Sequence, residues 1–194
     1  MKLDFLRAFH LSILVILGIS LTGCATVAMP PPTASVSTVE KLRTANLIPS
    51  NVGKFGLAPE LNPTLDKTVG GLRGSSIHGA DGSFSQQLRE VVIVELKAAG
   101  LYDEKSPIQI EAQLSDNHVD AAIGTGTARL AAIFTVDKTG SRVFEKTLSV
   151  DSSWESSFIG AIAIPEAMNQ YSSLYKALVE KLFDDKDFQT VLAR

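Results

Sequence analysis

Between residues 83 and 100 apolar side chains return every three or four positions. Leu88, Val91, Val92, Leu96 and Ala99 fall on one stripe, the period of a helix with a single buried face. Ser83 stands three residues before Gln86, the spacing of a capping box, and Gly100 follows as a terminator. The pattern then changes to alternation. In "PIQIEAQLSD" Ile108, Ile110, Ala112 and Leu114 alternate with polar residues, which predicts a half-buried strand. "TARLAAIFTVD" repeats this with Ala128, Leu130, Ala132, Phe134 and Val136, "KTG" at Lys138 to Gly140 makes a tight turn, and "SRVFEKTLSV" is the partner strand of a hairpin. Helical spacing returns in Met168, Tyr171, Tyr175, Leu178 and Leu182, predicting a helix from about Pro165 to Phe183. Pro165 fits its first turn, where a missing amide hydrogen costs nothing. "DDKDFQTVLA" predicts a short terminal helix that buries Phe188, Val191 and Leu192.

Earlier in the chain the periods are weaker. "NVGKFGLA" reads as a first strand with Val52 and Phe55 among its apolar residues, and residues 38–46 suit either a short helix or a turn. The glycine-rich run 69–82 lies in a segment without sustained period, and structureless loops beyond about 12 to 15 residues are uncommon in compact domains. It is either an ordered loop, with a short strand in "LDKTVGGLRGSS", or a mobile one. The order strand, helix, three strands, helix predicts a two-layer α+β domain: a mixed or antiparallel sheet covered on one face by two main helices.

The N-terminal pattern is of another kind. Lys2 and Arg7 precede "LSILVILGIS", a run too short for a permanent span, which needs about 20 apolar residues. A basic front, a short apolar segment and a small-residue boundary form an export signal. The boundary, Leu21-Thr22-Gly23-Cys24, resembles the lipobox of bacterial lipoproteins. That resemblance implies removal of residues 1–23 and a diacylglycerol and acyl chains on Cys24. Each buried methylene contributes about 0.8 kcal/mol, so several chains anchor stably where one does not. Ala25, in place of the Asp that often marks inner-membrane retention in such lipoproteins, implies the inner leaflet of the outer membrane. Residues 24–40, with "MPPPTASVST", read as a lipidated N-terminus and a stiff tether that stands the domain, residues 41–194, off the lipid surface.

Composition narrows the chemistry. The net charge of -3 becomes slightly more acidic once the signal is removed, and no basic face of the sort a nucleic-acid binder carries is evident. Cys24 is the only cysteine, so with its thiol lipidated no disulfide, thiol nucleophile or thiolate metal site remains. Asp116, His118 and Asp120 would share one side if the strand ran through them and could then offer oxygen and nitrogen ligands to a divalent ion. The other reading of this stretch is a solvated turn at a strand end. "GTGT" at 124–127 lacks the lysine and the following helix of a phosphate loop. Serines around Trp154 show no nucleophile-elbow pattern, and His78 and His118 are the histidines left after export. No cofactor or metal is expected. Trp154 and Phe158 suit the core or an aromatic contact. The apolar run from Phe158 through Ile159 and Ile162 to Pro165 is expected to pack inward, and is also the favoured interface if one exists.

The lipobox at Cys24, the early strand, the capped helix ending "AAGLY", the hairpin around Gly140 and the late tyrosine-bearing helix together resemble the small α+β envelope lipoproteins of the YajG-like kind. They are more loosely similar to the lipoproteins that accompany transport and curli-secretion systems. The resemblance implies an outer-membrane location and a partner-binding or assembly role, with no catalytic residues to carry over. The expected function is a non-enzymatic, membrane-anchored lipoprotein that binds a protein, lipid or glycan partner in the envelope. A tethered hydrolase using His78 or His118, or a structural spacer, are the alternatives.

Overall fold

β5 (Ile108–Asp120), β6 (Gly124–Lys138) and β7 (Ser141–Ser156) form an antiparallel meander, and β2 (Asn51–Leu57) joins the free edge of β5 in parallel. The computed structural model describes residues 26–194. The signal segment 1–23 and Cys24 fall outside the described residues.

The hairpin is set by its turn. Thr139 and Gly140 both take positive φ, 49° and 84°, the backbone twist that matches the twist of two flanking strands. Alternation does the rest: Ile110, Leu114, Leu130, Phe134 and Val136 are all buried on one face. Against that face lie α2 (Phe84–Ala99), packed on β2, and α3 (Gly160–Phe183), packed on β6 and β7. α1 (Val36–Thr44) sits on α2, and α4 (Lys186–Leu192) closes over β7 with Phe188. The Ser83 hydroxyl caps α2 by accepting from the Gln86 amide. The reciprocal half of the box is replaced, because the Gln86 side chain donates instead to the Phe55 carbonyl. Arg89 donates to the carbonyls of Gly53 and Val52. Helix α2 thus takes up carbonyls at the irregular stretch of edge strand β2, groups that would otherwise invite another strand.

The chain is α+β, as expected, but it carries more elements than the expected order. Residues 36–44 are helical. The glycine-rich run forms β3 (Val69–Leu72) and β4 (Ser75–His78), and these make a second sheet in the order β1-β4-β3 with β1 (Thr26–Ala28). Gly71 makes this possible. Its amide plane approaches β5 so closely that a Cβ would stand 1.9 Å from the Val119 carbonyl oxygen, and its own carbonyl accepts from the Ala121 amide at 2.8 Å.

Two expectations change. The proline-containing segment is docked rather than a stand-off tether: β1 pairs with β4, Met29 is buried, the Pro30 carbonyl accepts from Gln87, and Thr33 accepts from Lys176. Helix α3 begins five residues early, at Gly160, which makes Pro165 its sixth residue. Pro165 cannot donate to the carbonyl four residues before it. The first turn, Gly160 to Ile164, is therefore a weakly coupled start to the helix, held at Ile159 by the amides of Ile162 and Ala163.

Candidate functional site

At the end of the sheet where β5 turns into β6 and β7 leads into α3, large apolar side chains face solvent. Ile123 is 72% exposed, Phe158 76%, Ile159 45% and Ile162 58%. Ile123 belongs to the β5–β6 turn, Phe158 and Ile159 to the connection after β7, and Ile162 to the first turn of α3. Of the run expected to pack inward, Ala163 and Ile164 do so, but Phe158, Ile159 and Ile162 do not, since burying Ala163 and Ala167 on the core side of α3 leaves Ile159 and Ile162 outward. Scattered apolar residues are ordinary on a protein surface, whereas here four are gathered at one rim.

One side chain organises the rim. Arg73, in the β3–β4 turn at φ 52°, donates Nε to the Ala121 carbonyl at 2.7 Å, Nη1 to the Phe158 carbonyl at 3.0 Å and Nη2 to the Ser156 hydroxyl at 3.2 Å, with a further contact to the Ser157 carbonyl. Its planar fork joins three loops from separate parts of the chain, a task the point charge of lysine cannot perform. Nothing in the periodicity pointed to Arg73. An isolated arginine between glycines in "GGLRGSS" was the available signal.

Trp154 differs from its neighbours in the predicted interface. It is half-buried, packs on the core and lies over Gly126, its partner across the β6–β7 ladder. A Cβ on Gly126 would stand 2.3 Å from the indole. The second glycine of "GTGT" is thus a seat for the tryptophan. The buried indole nitrogen has no hydrogen-bond partner among the described residues.

Residues 116–120 lie on β5, not in a turn. A register shift between Leu114 and Asp116 reverses the alternation, so Asn117 and Val119 point inward while Asp116, His118 and Asp120 share the outer face. Asp116 pairs with Arg129 at 3.0 Å, and Arg129 also pairs with Asp151 at 3.0 Å. The carboxylate of Asp116 is therefore engaged by a guanidinium, and among the described residues no group of three His, Cys, Asp or Glu has the geometry of a metal site. His118 faces a shallow depression with Thr127, Arg129, Asp151 and Ser153. His78 is on β4, its Nδ1 beside the Gly79 carbonyl.

The inward Asn117 builds a polar cluster inside the core. Its carbonyl accepts from the Tyr171 hydroxyl, its amide donates to the Leu65 carbonyl at 3.0 Å, and the hydroxyls of Tyr171 and Tyr175 are 3.0 Å apart. Burial holds both phenols well above their ordinary pKa, Tyr175 additionally through the neighbouring Tyr171. Glu95 is a further buried polar group: one oxygen accepts from the Ser35 amide at 2.8 Å, the other has no partner among the described residues, and burial raises its pKa against the opposing pull of Ser35 and Lys176.

No family model and no curated protein matches the chain. Among solved structures the fold is similar to that of protein XCC0632 from Xanthomonas campestris, assigned to the DUF330 family, at 14% identity and a TM-score of 0.55, covering 82% of this chain and 95% of that one. A putative lipoprotein from Caulobacter crescentus aligns at 13% identity and a TM-score of 0.40 over 54% of this chain and 79% of that one. A minor lipoprotein from Acinetobacter baumannii aligns at 12% and 0.42 over 74% and 94%. At these identities the first likeness concerns the fold alone. Among the described residues no helix is long and apolar enough to cross a membrane.

Proposed function

We propose that the chain is an envelope lipoprotein, anchored by lipid on Cys24 at the outer membrane, whose folded domain acts by binding at its apolar rim and not by catalysis. The rim is the observation that carries this reading: four large exposed apolar side chains, on the β5–β6 turn and the β7–α3 connection with the start of α3, two stretches that Arg73 ties together through the carbonyls of Ala121 and Phe158. The lipobox Leu21-Thr22-Gly23-Cys24 supports the anchor, and Ala25 the outer-membrane address. Kinship with YajG-like lipoproteins, and an accessory role in envelope assembly or transport, rest on the lipobox and the element order. A protein, lipid or glycan are the partner classes.

Photocrosslinking in living cells tests the reading. A photoreactive residue placed at Phe158 or Ile162 should form an adduct that the same residue at Val143, an exposed position of β7, does not. Equal labelling from the three positions, or none, would count against a binding rim.

A further inference from the structure

We infer that the partner of the rim is the bilayer itself: Ile123, Phe158, Ile159 and Ile162 enter the boundary between headgroups and acyl chains of the membrane that holds Cys24. This rests on the lipid anchor proposed above and names what the rim touches.

The path of the chain carries the inference. β1 runs parallel to β4, with Thr26 level with Ser76 and Ala28 level with His78. The chain therefore enters the domain beside the start of β4, where Ser75 pairs with Leu72 across the turn that bears Arg73. From that turn Arg73 reaches the carbonyl of Phe158. Entry point and rim consequently lie at the same end of the domain, where β5 of the main sheet turns into β6. Cys24 precedes Thr26 by two residues, a stretch that spans about 7 Å at full extension. A free tether would let the domain face any direction, but β1 pairing and the burial of Met29 leave only this short lead. Acyl chains seated in a bilayer thus hold the rim next to the same bilayer. Apolar side chains of interfacial elements sit about 5 to 10 Å into the boundary, within the space that so short a lead leaves. A second protein or a second copy of this chain would have to occupy that gap instead, which makes the lipid surface the favoured occupant. The four side chains are apolar, and the Arg73 guanidinium behind them is turned onto the carbonyls of Ala121 and Phe158, so the attraction is apolar.

The test uses the full chain, processed and lipidated in a bacterium and reconstituted in vesicles of phosphatidylethanolamine and phosphatidylglycerol. Cys24 is the only cysteine and its thiol is consumed by the lipid, so an added cysteine is a unique labelling site. A polarity-sensitive fluorophore is placed at Ile162→Cys, at Phe158→Cys and, at the opposite end of the sheet, at Thr139→Cys. Nitroxides on the acyl chains should quench the two rim labels several-fold more than the label at position 139, equally at low and high salt. Protein that floats with the vesicles but shows the same quenching at all three positions overturns the inference while leaving the anchor intact. So does a rim label shielded from both lipid and aqueous quenchers, the signature of a protein covering it. Protein that does not float with vesicles fails the anchor reading, and this inference with it.

Discussion

The Arg73 guanidinium holds the carbonyl of Phe158 at 3.0 Å, joining residues 85 positions apart and tying the backbone that carries the exposed ring to the β3–β4 turn. The same side chain reaches Ala121 and Ser156. Hydrogen bonds to charged groups contribute about 1.5 to 3 kcal/mol each, net of the bonds to water they replace. Arg73→Ala should lower stability by about 2 kcal/mol and speed amide exchange across residues 156–163, with Arg73→Lys recovering only part of the loss. Urea denaturation with hydrogen-exchange mass spectrometry reads both effects. Unchanged exchange in that segment would show that Arg73 does not organise the rim.

Trp154 and Gly126 make a second prediction. The Cβ of Gly126→Ala would press on a planar ring that cannot fold away, and overpacking of this sort costs roughly 1 to 3 kcal/mol. Alanine is no worse than glycine for a strand backbone, so a destabilised variant reports the steric contact itself. The chain has one tryptophan, and its emission should shift in Gly126→Ala as the indole is displaced. Thermal melts and emission spectra check the two halves of the claim.

The cluster of Asn117 and Tyr171 is buried and joins β5 to α3. Tyr171→Phe leaves the Asn117 carbonyl without that donor and should destabilise by about 1 to 3 kcal/mol. Asn117→Ala should cost at least as much, because it also strands the Leu65 carbonyl. Denaturant midpoints of the single and double variants give the coupling between the pair, which should be non-zero.

Glu95 makes stability depend on pH. Its folded-state pKa is raised by burial, so the unfolded chain releases this proton at lower pH than the folded one. The contribution is complete below the ordinary carboxylate pKa and is lost as pH rises toward the raised folded value. Glu95→Gln keeps an acceptor for Ser35 and removes the charge. Compared with the unmodified chain, it should therefore gain stability as pH rises above the ordinary carboxylate pKa, measured by urea midpoints. An identical pH profile in both proteins would contradict a buried, ionising Glu95.

Much of the main sheet and both long helices were legible in the sequence because burial on one side leaves a period: Ile108 to Leu114, Ala128 to Val136 and Tyr171 to Leu182 each repeat as their element requires. The period fails where an irregularity intervenes. The register shift after Leu114 turned Asn117 inward and His118 outward, and alternation alone does not locate such a shift. The small sheet was hidden for a different reason. Its strands are three and four residues long, too short to show alternation, and β1 finds its partner about fifty residues away. Three of the four predicted interface residues, Phe158, Ile159 and Ile162, are exposed, but their outward direction comes from the packing of α3 and could not be read from an apolar run. Ile123 and Arg73 complete the rim through folding alone.

The proposed binding role depends on lipidation of Cys24, and the intact mass of the protein extracted from bacterial membranes in detergent tests that lipidation most directly. A chain that begins at Cys24 and carries a diacylglycerol and an amide-linked acyl chain is the predicted result. A chain that keeps residues 1–23, or one that begins elsewhere with an unmodified thiol, would contradict it.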